Sequence, residues 1–233
     1  MTKAEKSEFL NKIKGKLIVS CQALEDEPLY DTIVVAKMAQ AVKEGGSVAI
    51  RANYPQQIEA IQKATGLPVI ALYKKEYQDS QIIITPTMEE IDALAALEPE
   101  VIAMDATSRI RPGGLTLEVF FKQVKDKYPH QMFMADTSCY EEGVMAQKLG
   151  FDLIGTTLSG YTSYTQNRPS PDYELMQRFC ENLKLPIIAE GGIWTPLELK
   201  KTFETGVWAA IIGTAITRPR EITRRFIDMA GLE

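Results

Sequence analysis

The chain of 233 residues has one histidine, His130, and only three cysteines, Cys21, Cys139 and Cys180. A His-rich metal site is therefore out of reach, and histidine-based catalysis would rest on that one side chain. His130 follows Tyr128-Pro129 and precedes an apolar run, so it is expected in a surface loop where a strand begins. Parallel-sheet sites collect at the opposite strand ends. The cysteines are odd in number and lack Cys-x-x-Cys spacing, which argues against a disulfide framework or a thiolate zinc site and fits a reducing, cytoplasmic setting. Cys21, flanked by strand-like Ile18 and Val19, reads as a packed thiol rather than a nucleophile. Long apolar runs are missing too. The longest reach about six residues, where a bilayer span needs roughly twenty, and the opening MTKAEKSEFLNKIKGK has no signal-peptide core. Nor is there an excess of positive charge: 26 Lys+Arg against 31 Asp+Glu leave a net charge of -5. Nucleic acid and membrane surfaces are disfavoured as partners, while a local basic pocket for a phosphorylated small molecule remains compatible.

What the chain does have is an alternation of short β-branched runs with longer amphipathic stretches, uninterrupted by linkers, so residues 1–233 read as one domain. Strands are expected at Leu17–Cys21, Val48–Arg51, Val69–Tyr73, Val101–Asp105, Met132–Asp136, Leu153–Thr157, Ile187–Glu190 and Ala210–Gly213. Between them, sets such as Val35, Met38 and Val42, or Ile222, Phe226 and Met229, recur at helical spacing. Gly45, Gly66, Gly150 and Gly206 follow the helical stretches, and Pro196 and Pro219 open them. Eight units of about 29 residues predict an α/β chain closed into a (β/α)8 TIM barrel. The apolar runs fit strands buried on both faces. Lys3 to Ile13 reads as a short extra helix covering the bottom of the barrel.

In such a barrel the chemistry lies at the carboxyl ends of the strands. Here the runs end in Ser20 and Gln22, Arg51, Lys74, Asp105, Asp136, Thr156 and Thr157, and Glu190. A mouth holding so many charges is costly to desolvate without a purpose. Glu190-Gly191-Gly192-Ile193 after the seventh strand, and Gly213-Thr214 through Arg218-Pro219 after the eighth, have the placement and the glycines of a phosphate site. Lys74 and Glu190 would face one another across the mouth as an acid–base pair, the lysine needing a lowered pKa to remove a carbon-bound proton. Asp105 and Asp136 are expected to bind hydroxyls or brace basic side chains rather than a metal. A loop of about a dozen residues, from Leu158 towards Ser170-Pro171, has the length of a lid or sugar-contacting flap.

Taken together, Val19-Ser20-Cys21-Gln22-Ala23, Ala49-Ile50-Arg51-Ala52-Asn53, Ile84-Thr85-Pro86-Thr87, Ala103-Met104-Asp105-Ala106-Thr107, Thr156-Thr157-Leu158-Ser159-Gly160-Tyr161-Thr162, Ala189-Glu190-Gly191 and Gly213 through Pro219 resemble the N-acetylmannosamine-6-phosphate 2-epimerase family. The resemblance implies an isomerase that needs no cofactor and no metal and interconverts N-acetylmannosamine 6-phosphate and N-acetylglucosamine 6-phosphate in sialic acid breakdown. It implies Lys74 and Glu190 as the catalytic pair. Gln22, Arg51 and Asp136 would hold the sugar; Gly191, Gly192, Gly213, Thr214 and Arg218 would surround its phosphate. Where the family commonly has a basic residue, this chain has Gly192. A homodimer is the expected assembly.

The residues by themselves also admit other readings. A Schiff-base aldolase would use Lys74 as an imine-forming nucleophile. A metal-dependent pentose-phosphate epimerase would lack its histidine ligands here. A barrel that only senses a sugar phosphate would have no use for an acid and a base in one mouth. For the epimerase, inversion requires ring opening, loss of the proton beside the aldehyde, and its return to the other face. The second acid is then Glu190, a substrate hydroxyl, or the same base after the sugar shifts.

Overall fold

The computed structural model describes residues 1–232. Its element order is α1 (Lys3–Ile13), β1 (Leu17–Cys21), α2 (Thr32–Glu44), β2 (Ile50–Asn53), α3 (Pro55–Thr65), β3 (Val69–Leu72), α4 (Met88–Ala95), β4 (Val101–Asp105), α5 (Leu117–Lys127), β5 (Met132–Asp136), α6 (Tyr140–Leu149), β6 (Leu153–Gly155), α7 (Tyr173–Asn182), β7 (Ile187–Glu190), α8 (Pro196–Glu204), β8 (Ala209–Ile212), α9 (Thr214–Thr217) and α10 (Pro219–Ala230). The strands pair in parallel in chain order, and β1 pairs with β8 as well as β2, so the sheet closes into a barrel. The helix punctuation follows local chemistry. Asp31 and Thr87 accept backbone N–H groups at their helix starts, and Pro196 and Pro219 occupy first-turn positions where no N–H is needed.

Four strands have the expected bounds; the other four shift at their ends for identifiable reasons. Val48 and Ala49 pair loosely with β1, at 3.4 Å, and full pairing begins only at Ile50, so β2 runs to Asn53. Downstream, β3 stops at Leu72 because the chain turns into an antiparallel bridge between Lys74 and Ile84. In β6 the regular pairing ends at Gly155, after which the Thr156 and Thr157 hydroxyls bond to β5 and β7 groups. Finally, β8 begins one residue early at Ala209 and leaves Gly213 outside the strand.

Period-two alternation divides the apolar residues into two shells. One shell lies inside the barrel: Ile18, Ala49, Ile70, Leu72, Val101, Ala103, Met132, Met134, Leu153, Ile188, Ala209 and Ile211 are all at most 1% exposed. The other, with Val19, Cys21, Ile102, Phe133 and Ile154, lies between sheet and helices. Cys21 is thus the packed thiol the sequence suggests, its pKa pushed up to about 12 by burial. Phe9 and Ile13 of α1 join the inner shell, and the indole N–H of Trp208 donates to the Leu10 carbonyl at 2.8 Å, so α1 closes the amino-terminal end of the barrel. His130 is exposed between α5 and β5, at that same closed end. Among the described residues no helix is long and apolar enough to cross a membrane.

Candidate active site

With the lower layers filled by hydrocarbon and the bottom closed by α1, the inward row of each strand ends in a functional group at the open mouth. Ser20 follows Ile18, Arg51 follows Ala49, Lys74 follows Leu72, Asp105 follows Ala103 and Asp136 follows Met134. Thr157 follows Gly155, Glu190 follows Ile188 and Gly213 follows Ile211. A cavity of about 550 Å³ opens there, and Lys74 and Glu190 both line it.

Arg51 is the organising cation. It is 1% exposed, and its Nη1 and Nη2 donate to the two carboxylate oxygens of Asp136 at 3.0 and 2.6 Å. Nη1 also donates to Glu190 Oε2 at 2.7 Å. The Thr157 hydroxyl donates to Asp136 Oδ1 at 2.6 Å and approaches Glu190 Oε2 at 3.2 Å. This crowding is why residue 155 is glycine: a β-carbon there would sit 2.9 Å from Thr157 Oγ1 and inside the van der Waals radius of the Met134 methyl. Burial works against the Arg51 charge, but Asp136 and Glu190 outweigh it and hold the guanidinium above its ordinary pKa.

Lys74 is fixed through its backbone. Its N–H donates to Asn53 Oδ1 at 2.9 Å, and the flanking chain is held by Lys75 N–H to the Ile83 carbonyl and Thr85 N–H to the Tyr73 carbonyl. No ion pair joins Lys74 to a carboxylate among the described residues. Burial lowers the Lys74 pKa to about 8; Arg51 adds to that effect, and Glu190 opposes it. Glu190 moves the opposite way, raised by burial against the pull of Arg51. The two groups therefore approach a common range near neutral pH, the condition for exchanging protons with a substrate.

The residues expected around a phosphate gather on one side of the cavity: Gly191, Gly192, Gly213, Thr214 and Arg218 all line it. Gly191, with φ of 113°, adopts a backbone open to glycine without strain, and Gly192, at 69°, lies in the left-handed region that favours glycine. The space beside Gly192 is filled, because a β-carbon there would collide with the Ser170 hydroxyl. Arg218 enters the site already paired: its Nε donates to Glu27 Oε1 at 3.0 Å, and Nη2 makes a second, shorter bond to the same oxygen. Gln22 lines the cavity, donating from Nε2 to Ser20 Oγ at 2.7 Å and leaving Oε1 buried without a protein partner. Arg51 and Asp136 are paired with each other, Arg51 also with Glu190, and neither lies on the cavity wall. Asp105 braces Arg109 and Asp136 braces Arg51, so each carboxylate expected to support a basic side chain does so. No cluster of three or more His, Cys, Asp and Glu stands together among the described residues.

Sequence reasoning passed over Thr157, Glu27, Asn53 and Arg109 as site residues. Thr157 was visible as a strand-end polar group. The other three act through contacts made 191, 21 and 4 positions away along the chain, with no motif spacing to mark them. The Leu158–Pro171 loop, expected as a lid or flap, is stitched down: Ser159 donates to Asp172 at 2.7 Å and Tyr164 to Glu142 at 2.6 Å. It still places Leu158, Tyr161 and Ser170 on the cavity wall.

Comparison with known proteins gives the family. The NanE family model, "Putative N-acetylmannosamine-6-phosphate epimerase", matches residues 35–231. Two relatives named "Putative N-acetylmannosamine-6-phosphate 2-epimerase" come from Caldanaerobacter subterraneus and Clostridioides difficile. The first is 54% identical over 94% of this chain and 93% of its own, the second 49% identical over 94% and 97%. The solved N-acetylmannosamine-6-phosphate 2-epimerase of Clostridium perfringens superposes with a TM-score of 0.90 at 47% identity, covering 95% of this chain and 96% of that one. A thiamine phosphate pyrophosphorylase from Pyrococcus furiosus, with a TM-score of 0.62 and 17% identity, shares the barrel fold alone. On its sequence, its barrel and these relatives, the chain belongs to the NanE family.

Proposed function

We propose that this protein interconverts N-acetylmannosamine 6-phosphate and N-acetylglucosamine 6-phosphate by removing and returning the proton at C2, with Lys74 and Glu190 as the groups that move it. The observation that carries the reading is the placement of a lysine of lowered pKa just past β3 and a carboxyl of raised pKa at the end of β7, four strands apart in a closed ring of eight. They thus approach a bound carbon from opposite sides, as inversion requires.

The steps follow from the groups. In the open-chain sugar the C2 proton is acidified by the neighbouring aldehyde. Lys74, as the neutral amine, takes it and leaves an enolate whose charge lies close to the Arg51 cation and the newly formed ammonium. Return of a proton to the other face needs a donor on the β7 side. Glu190 supplies it from its own carboxyl or through a substrate hydroxyl that it holds. Arg51 and Thr157, themselves held by Asp136, keep the Glu190 oxygen in one position. The backbone around Gly191, Gly192, Gly213 and Thr214, with Arg218, receives the 6-phosphate and ties the far end of the chain, so that C2 returns to the same place in either configuration. Phosphate and Glu27 compete for Arg218, and the trade of one anion for another keeps the guanidinium paired throughout.

A cytoplasmic homodimer belongs to the same reading. Helix α10 buries none of its residues and leaves Phe226, Ile227 and Met229 exposed, an apolar row suited to a second copy; sedimentation velocity checks it. For the activity itself, N-acetylmannosamine 6-phosphate is incubated with the protein and followed by proton NMR. Growth of the anomeric signals of N-acetylglucosamine 6-phosphate is expected, and an unchanged spectrum overturns the assignment.

A further inference from the structure

We propose that Arg109 and the apolar wall beside it seat the N-acyl group of the substrate, and so set the choice of amide; the proposal rests on the epimerase reading above. The glycine loops assigned to the phosphate follow β7 and β8, and β4 lies opposite β8 in the closed ring. A sugar tied beside β7 and β8, with C2 at Lys74 just past β3, points its remaining substituents towards β4 and the loops beside it. Two groups lie there, the C1 aldehyde and the amide on C2.

Arg109 waits at that end. It lines the cavity together with Asp105, Gln81, Ile83, Leu158 and Tyr161. Its guanidinium is held from behind, with Nη2 donating to Asp105 Oδ2 at 2.5 Å, Nε to Thr107 Oγ1 at 3.0 Å and Nη1 to the Gln81 carbonyl at 3.4 Å. A guanidinium carries five N–H groups, so two remain for a ligand. Asp105 is 1% exposed and neutralises the charge at close range, so the pair offers hydrogen-bond donors without a free positive charge. That suits a neutral carbonyl oxygen better than a second anion. Beside it, Ile83 and Tyr161 are 40% and 69% exposed, large apolar surfaces left in water at the cavity edge. A donor next to bare hydrocarbon matches an amide, whose carbonyl accepts and whose methyl is covered.

The test uses unreactive open-chain alditols, so that binding is read apart from catalysis. N-acetylglucosaminitol 6-phosphate and glucitol 6-phosphate, which lacks the amide, are titrated by calorimetry into wild type and Arg109→Met. Loss of a hydrogen bond to a charged group should weaken the acylated ligand by about 10- to 100-fold and leave glucitol 6-phosphate within about twofold. Equal weakening of both ligands overturns the proposal and makes Arg109 a structural brace. Because Arg109→Met strands the Asp105 carboxylate, Ile83→Ala provides a second reading from a side chain outside the core. It should raise kcat/KM for N-butanoyl-mannosamine 6-phosphate relative to the N-acetyl substrate by about tenfold, and an unchanged ratio overturns the acyl seat. Wild type that fails to convert N-acetylmannosamine 6-phosphate at all would instead sink the epimerase reading, which the NMR assay detects separately.

Discussion

Arg51 and Glu190 meet at 2.7 Å although β2 and β7 are not neighbours and 139 residues separate them. The bond crosses the barrel interior, and with Asp136 it gives one arginine two carboxylates. Glu190 is thereby held on its own wall of the cavity and is not drawn into an ion pair with Lys74. That separation lets the lysine lose its proton and the carboxyl keep one at similar pH.

Lys74→Ala should reduce kcat by about three orders of magnitude or more, given that a positioned base alone contributes about 10²- to 10⁴-fold. Binding of N-acetylglucosaminitol 6-phosphate should stay within a few-fold, because the phosphate loops are untouched. Calorimetry alongside single-turnover kinetics separates the two. Retained turnover removes Lys74 from the chemistry. Borohydride added with substrate should leave no adduct on Lys74, whereas a reduced imine seen by mass spectrometry would favour the aldolase.

The pH profile follows from the shifted groups. The neutral amine of Lys74 grows as pH rises through about 8, which gives kcat/KM a rising limb. A donor that depends on the protonated Glu190 carboxyl adds a falling limb above its raised pKa, and the two limbs belong to the pair. The Asp136 charge raises both groups. Asp136→Asn should therefore move the whole profile to lower pH, and a shift to higher pH contradicts the assignment of the limbs.

Breaking the Arg51 pair should be costly. Arg51→Met leaves Asp136, which is 0% exposed, without its partner, and loss of one member of a buried pair costs about 3–5 kcal/mol. Adding Asp136→Asn should recover part of that loss in urea unfolding. A double variant no more stable than the single one would show that Asp136 is not the stranded group.

Lys74 should carry a stability cost whose sign is fixed. Its pKa of about 8 in the folded chain lies below the ordinary 10.5, so the ammonium is disfavoured by folding. The penalty is full below pH 8, fades as pH rises from there, and is gone above 10.5. Lys74→Met should therefore be more stable than wild type at pH 7, by up to about 3 kcal/mol, with the difference vanishing near pH 10.5. Thermal unfolding at the two pH values checks both size and direction.

Much of this arrangement was legible in the order of residues. Strand alternation fixes which side chains point inward, so Arg51, Asp136 and Glu190 could be assigned to the mouth from their positions at the ends of apolar runs. Lys74 was found for the same reason, although it lies past the end of β3, because the bridge to Ile84 continues the inward alternation. The pairings themselves were not legible. Arg51 to Asp136, Arg218 to Glu27 and Lys74 to Asn53 span 85, 191 and 21 residues, and barrel closure rather than local spacing sets them. For that reason the partner of Arg51 could not be named in advance, and Glu27 was not expected at all. The loop after β6 has a lid's length, yet the bonds that tie it to Asp172 and Glu142 come from groups that carry no signal of their own.

The most direct measurement is exchange at C2. N-acetylmannosamine 6-phosphate is incubated in deuterated buffer and followed by proton NMR, with wild type and Lys74→Ala in parallel. Wild type should lose the C2 proton signal as the epimer forms, and the variant should show neither change. Epimer formed with its C2 proton fully retained, or exchange undiminished in the variant, would contradict proton transfer by Lys74.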